Sequence, residues 1–167
     1  MILVGHSVGG LIAHVFAARY PHRVAGLVMV DRSIPALHVY PSVEPKVDGD
    51  GPGATEIDTV SGHLEVIEAG LPGVPAVVVA RTHGRWDGKN PLPHPAVEDL
   101  WRAYQRQLTR QLDCPLIVAD NSGHQLQREA PDLIAYAVTA VHEAVRTGKD
   151  VAIEPERLAD AGGHLDR

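Results

Sequence analysis

The first ten residues, Met1 to Gly10, read MILVGHSVGG, with Ser7 between Gly5 and Gly9 and a further Gly10 behind them. This spacing suits a serine nucleophile on a strand that must reverse into a helix within about one residue while projecting its hydroxyl outward. Such a turn strains the serine backbone and leaves little room for side chains two residues to either side, which predicts the need for Gly5 and Gly9. A helix starting at Val8 would bring the positive end of its dipole to the hydroxyl. The Val8 N–H would then point toward a developing oxyanion. The chemistry implied is acyl transfer through a covalent serine ester. A glycine-rich turn with a passive serine could carry the same five residues, but the context is specific. Ile2, Leu3 and Val4 give a buried strand, and Val8, Leu11, Ile12, Val15 and Phe16 recur at helical spacing.

A serine nucleophile needs a base. Ser122-Gly123-His124 follows an apolar run, LIVA, at Leu116 to Ala119. If that run and the Ile2 to Val4 run are parallel strands of one sheet, the loops beyond their carboxyl ends converge, and His124 can reach Ser7. A neutral imidazole there can accept the serine proton and later protonate the leaving group. Nine other histidines compete. His14, His22, His38, His63, His83, His94, His142 and His164 fall on helices or in loops, where solvated or structural roles are expected. The His6 side chain is expected to leave its strand on a different side from Ser7.

The elements that must position these residues alternate along the chain. After the helix from Val8 to about Arg19, stopped at Tyr20-Pro21, the run Val24 to Val30 (VAGLVMV) has almost no polar interruption, as expected of a parallel strand covered on both faces. It ends at Asp31. A third run, Ala76 to Arg81 (AVVVAR), follows the turn Pro72 to Pro75, and Leu116 to Ala119 is the fourth. Four such runs separated by helical segments predict an α/β fold with a parallel sheet of about four strands and flanking helices.

Residues 32–53, rich in Pro, Gly and Asp, read as an irregular lid or connecting loop. The segment Thr55 to Ala69 reads as a helix whose apolar face is Ile57, Val60, Leu64 and Ile67, with Gly70 as its stop. A further helix runs from about Ala96 to Leu112, with Val97, Leu100, Trp101, Tyr104 and Leu108 on one side; its two aromatic residues read as core. The last helix opens at Pro131 and continues through Ile134, Ala137, Val138 and Val141 to Arg146, with Gly148 ending it. The organisation expected is a domain over residues 1–148 and a flexible polar tail over 149–167.

Composition limits what else the chain can be. At 167 residues and 44% hydrophobic it can bury one core. Its net charge of -6 and pI near 5.9 come without any Lys/Arg cluster, which argues against nucleic acid as a partner. The single Cys114, between Asp113 and Pro115, excludes an internal disulfide and reads as a buried structural thiol. No stretch reaches the roughly 20 apolar residues of a membrane span, and no basic region precedes the first apolar run, so a soluble, cytoplasmic chain is expected. No motif calls for a metal or an organic cofactor.

GHSVGG, YPHRVAGLVMVD and PLIVADNSGHQLQREAPDLIAYAV together resemble the C-terminal half of an α/β-hydrolase fold protein, over roughly residues 1 to 146. The resemblance implies Ser7 as nucleophile, His124 as base, Val8 as a backbone oxyanion donor, and an acid between them in sequence. Two residues fit that last role. Asp31 stands at the end of the second strand, as in some members of the family, and Asp87 in THGRWDG lies six residues beyond the third, near the position most members use. Asp31 is favoured, because the third strand lacks the usual short spacing to its acid; turn capping is the alternative role for Asp31 and a solvated turn for Asp87. Asp120 is expected to fix the His124 loop.

The resemblance further implies four earlier strands and a second oxyanion donor that would precede Met1. Without them the first strand would lie at a sheet edge, open to self-association. The expected function is a serine hydrolase acting on an ester or related acyl bond of a small-molecule substrate. The alternatives are a catalytically inactive truncated fragment, or a binding or assembly module that uses the exposed edge.

Overall fold

The computed structural model describes residues 1–34, 47–48, 55–56, 58–69, 73–82 and 95–166. The expected parallel strands are β1 (Ile2–His6), β2 (Gly26–Val30), β5 (Ala76–Ala80) and β6 (Leu116–Ala119), with the two-residue strands β3 (Val47–Asp48) and β4 (Thr55–Glu56) forming a separate antiparallel pair. The helices are α1 (Val8–Arg19), α2 (Thr59–Ala69), α3 (Pro95–Leu112), α4 (Leu126–Glu129), α5 (Pro131–Thr147) and α6 (Pro155–Asp160). A fifth strand of the main sheet, β7 (Gly163–Leu165), completes the order β1-β2-β5-β6-β7.

The uninterrupted apolar runs of β2, β5 and β6 follow from burial on both faces. Val28, Val30, Val77, Val79 and Ile117 point into a core with Leu133, Ala137 and Val141 of α5. Their neighbours Leu27, Met29, Val78 and Leu116 point the other way, against Ala17 of α1 and Leu108 and Leu112 of α3. Strand β1 pairs only with β2, from Ile2 opposite Gly26 to His6 opposite Val30, and so forms the sheet edge among the described residues. Its burial is accordingly weaker than expected. Ile2 and Leu3 are half-buried and Val4 is exposed.

Two expectations are corrected. The expected flexible tail over 149–167 is not found in its described part, residues 149–166: α6 packs beside β7, and β7 pairs antiparallel with β6, from Ile117 opposite Leu165 to Ala119 opposite Gly163. The segment has few apolar residues, but they are well used. Leu158 is fully enclosed in the core around α5, worth about 1.5–3 kcal/mol, and Asp166 accepts Arg106 Nε at 2.6 Å. The apolar stripe of α2 is also turned outward, since Val60, Leu64 and Ile67 are exposed while His63 and Val66 are buried. Gly62 faces Leu11 and Val15 of α1, where a Cβ would meet Leu11 at 3.4 Å, an ordinary van der Waals distance.

The same packing encloses His14 of α1, which the sequence assigns to a solvated or structural role. Its imidazole is fully buried near Arg32 and His63, and among the described residues neither nitrogen has a hydrogen-bond partner. Burial first, and then the charges of Arg32 and His63, push it down to about 3. His14 is thus neutral in the native state while an unfolded imidazole titrates near its ordinary 6.5. The unfolded chain therefore binds more protons as pH falls from about 6.5 to about 3, and stability drops by up to about 1.4 kcal/mol per pH unit. Denaturant unfolding of wild type and His14→Phe at pH 7 and pH 5 checks this. The wild type should lose more stability between the two than the variant.

Candidate active site

The turn from β1 to α1 has the geometry its sequence requires. Ser7 sits at φ 54° and ψ −123°, a conformation that costs about 1–3 kcal/mol and persists only when its surroundings hold it. Three backbone bonds do so. Ser7 N–H donates to Val30 O at 3.0 Å, and Ser7 O accepts from Gly10 N at 3.0 Å and Ser33 N at 3.1 Å. Val8 begins α1, so its N–H belongs to the first turn, which has no intrahelical acceptor. The glycine requirement is partly different from that expected. A Cβ on Gly5 would lie 2.5 Å from Gly9 O and 2.6 Å from Gly10 Cα, whereas a Cβ on Gly9 would meet nothing within 4 Å among the described residues. Gly10 is the second constrained position, 3.0 Å from Gly5 O by the same measure.

His124 follows β6 in a loop tied to the end of β5: Thr82 N–H donates to Ser122 O at 3.1 Å, and Ser122 N–H to Thr82 Oγ1 at 3.2 Å. Glu129 of α4 accepts Gly123 N–H at 2.7 Å. These bonds point His124 at Asp31, whose Oδ2 lies 2.7 Å from its Nδ1. Asp31 itself stands just past β2 in a left-handed conformation, φ 44°, with its N–H on Val79 O at 2.7 Å. Of the two candidate acids only Asp31 can be described; Asp87 lies outside the described residues.

The Asp31 carboxylate is fully buried and has more partners than the histidine. Trp101 Nε1–H donates to Oδ1 at 2.7 Å and Arg81 Nη1–H to Oδ2 at 2.7 Å, with the Arg81 backbone N–H 3.4 Å from Oδ1. Burial alone would push the carboxyl up. The His124 hydrogen bond and the Arg81 charge outweigh it and hold the group below its usual range. With Asp31 ionised, the proton in the His124 hydrogen bond must lie on Nδ1, the tautomer in which Nε2 carries the lone pair of a base.

Sequence reasoning missed three of these neighbours. Trp101, read as core, is enclosed but serves the carboxylate and packs edge-on to His124 with ring centroids 5.6 Å apart. Arg81 closes an otherwise apolar strand, and the only signal was a charge at that strand end. His6, expected to turn away, does the reverse. Its Nε2 donates to His124 O at 2.6 Å and the two rings lie 4.6 Å apart, so the residue before Ser7 is seated on the histidine. Asp120, expected to fix the His124 loop, ties the start of that loop to the β7 segment: its carboxylate pairs with His164 at 2.7 Å and its N–H donates to Gly162 O at 2.9 Å. Cys114 is half-buried against the core, and burial pushes its thiol up to about 12, in keeping with an unreactive structural role.

Among the described residues no group of three or more His, Cys, Asp or Glu is arranged to hold a metal, and no helix is long and apolar enough to cross a membrane. The alpha/beta hydrolase fold family matches residues 1–62, which include the whole turn around Ser7 and Asp31. No sequence among curated proteins matches the chain. Among solved structures, one from work on the metagenome-derived lipolytic enzymes LipS and LipT is similar over 85% of this chain and 64% of its own, at 14% identity and TM-score 0.52. A candidate lipase (lip1) from Acinetobacter baumannii AYE is similar over 89% of this chain and 62% of its own, at 17% identity and TM-score 0.53. The chain thus spans a little under two thirds of the length of either, and the likeness is one of fold. Residues 1–62 thus match the alpha/beta hydrolase fold family, and the shared arrangement of sheet and helices is that of the α/β-hydrolase fold.

Proposed function

We propose that the chain is a serine hydrolase that cleaves an ester or related acyl bond through an acyl-enzyme, with Ser7 as nucleophile, His124 as base, Asp31 as acid and Val8 as a backbone oxyanion donor. The observation that carries this reading is the buried 2.7 Å contact between His124 Nδ1 and an ionised Asp31, in a sheet whose first strand ends on a serine held at φ 54° in a strand-to-helix turn. In the first half-reaction Ser7 Oγ attacks the acyl carbon as His124 Nε2 takes its proton, and the oxyanion that forms accepts the Val8 N–H. Collapse of that intermediate expels the alcohol, which takes the proton back from His124. Water, deprotonated by the same nitrogen, then releases the acid. Asp31 accepts the Nδ1–H throughout and stabilises the imidazolium between steps.

The lipolytic enzyme and the candidate lipase that share the fold are consistent with an ester substrate. Steady-state hydrolysis of a short p-nitrophenyl ester by wild type and Ser7→Ala tests the reading. Turnover should be lost in the variant; equal turnover by both chains would sink it. A second reading, an assembly module, is favoured by the edge position of β1 and by the exposed Val60, Leu64 and Ile67 on α2. It predicts a mass above the monomer in sedimentation, and a monomer at high concentration counts against it.

A further inference from the structure

The Asp31 carboxylate does not meet its histidine alone. Arg81, itself buried, lies between two carboxylates: Nη1 donates to Asp31 Oδ2 at 2.7 Å and Nη2 to Glu98 Oε1 at 2.6 Å, and the guanidinium stacks 4.1 Å over the Trp101 ring. The array reads His124, Asp31, Arg81, Glu98, from the loop after β6 through the ends of β2 and β5 to α3. Among the described residues, the other charged or titratable groups nearby are His6 of β1 on the far side of His124, Arg32, whose side chain turns away to Tyr104 and Gly10, and Glu129 of α4, which holds Gly123 N–H.

Each link has a distinct consequence. The forked guanidinium can fix both carboxylates in one plane, so it fixes the direction in which Asp31 offers an oxygen to His124. It also shares that oxygen with the histidine, and a positive charge there weakens the pull of Asp31 on a proton at His124. Glu98, partly exposed at the outer end of the array, offsets the Arg81 charge. A carboxylate held by histidine and indole alone would lack that fixed fork and would favour the protonated imidazole more strongly.

We propose that Arg81, balanced by Glu98, is a positioning residue of the acid–base pair: it aims the Asp31 carboxylate at His124 and sets the pH below which His124 ceases to be a base. The assignment rests on the triad proposed above. It predicts opposite effects for two neighbouring changes. Removing the positive charge in Arg81→Met should raise the titration midpoint of His124 by about one pH unit or more, and removing the negative charge in Glu98→Gln should lower it by about half a unit. A purely structural bridge would give no such change of sign.

The test is a proton NMR titration of the His124 ring, its signal identified by its loss in His124→Gln, in wild type, Arg81→Met, Arg81→Lys and Glu98→Gln. Arg81→Lys keeps the charge and should stay near wild type. Midpoints that stay put, or move the same way in Arg81→Met and Glu98→Gln, would overturn the assignment. Should Arg81→Met not fold, Glu98→Gln at the partly exposed end decides it, by a downward shift or none. The pH dependence of Ser7 labelling by a fluorophosphonate is followed alongside. Opposed midpoints without any Ser7 labelling would refute the hydrolase reading while leaving the role of Arg81 toward His124 in place.

Discussion

Asp31→Asn is expected to slow acylation of Ser7 by about four orders of magnitude, while Asp87→Asn leaves it unchanged. The asymmetry follows from the contacts of Asp31. An asparagine can present its amide N–H₂ to His124 Nδ1, which stabilises the tautomer with its proton on Nε2 and removes the base from the side facing the substrate. The substitution also removes one of the two carboxylates that face the buried Arg81 guanidinium and leaves Glu98 as its remaining acidic partner among the described residues, so a loss of stability accompanies the loss of rate. The two effects separate by measuring labelling per folded molecule, with the folded fraction taken from circular dichroism at the same temperature. Full activity in Asp31→Asn, or a collapse in Asp87→Asn, would transfer the acid to Asp87.

Gly5→Ala carries the second large effect, and it is set against Gly9→Ala two residues past the nucleophile. The new methyl on Gly5 would meet backbone atoms of Gly9 and Gly10 at 2.5–2.7 Å, and neither can turn aside as a side chain would. The turn must open, and with it the bonds from Ser7 to Val30, Gly10 and Ser33 that hold φ at 54°. A cost of about 3 kcal/mol or more is expected, a large share of a domain's net stability, together with loss of Ser7 reactivity in whatever remains folded. Gly9→Ala should fold and melt like wild type. A thermal melt of each variant checks the pair, and comparable destabilisation of both would contradict the packing described for the turn.

The contrast between these two glycines marks how far the sequence was legible. Four parallel strands could be read because β2, β5 and β6 bury both faces and so keep almost every position apolar. The places of Ser7, Asp31 and His124 in the fold could be read because each follows the carboxyl end of such a run. The rest depended on contacts between distant segments. Trp101 has the spacing of a core residue on α3, and nothing local shows that its indole N–H ends on a carboxylate seventy residues away. His6 alternates with Ser7 along the strand, but the positive φ at Ser7 breaks the alternation that predicted its direction. The stripe of α2 was oriented wrongly, because helical spacing groups Val60, Leu64 and Ile67 on one side without saying which side meets α1, and the side that does carries Gly62, His63 and Val66. Strand β7 was invisible for a related reason. Its three residues, Gly163, His164 and Leu165, carry no β pattern and gain their place from backbone pairing with β6.

The central claim is that Ser7 is a nucleophile activated by His124. Incubation of the purified chain with a fluorophosphonate, followed by peptide mapping in a mass spectrometer, tests it most directly. The account predicts a single phosphonyl adduct on the peptide bearing Ser7, absent in Ser7→Ala and strongly reduced in His124→Ala. An unmodified Ser7 in the folded wild-type chain, or an adduct that survives in His124→Ala at the wild-type rate, would contradict it.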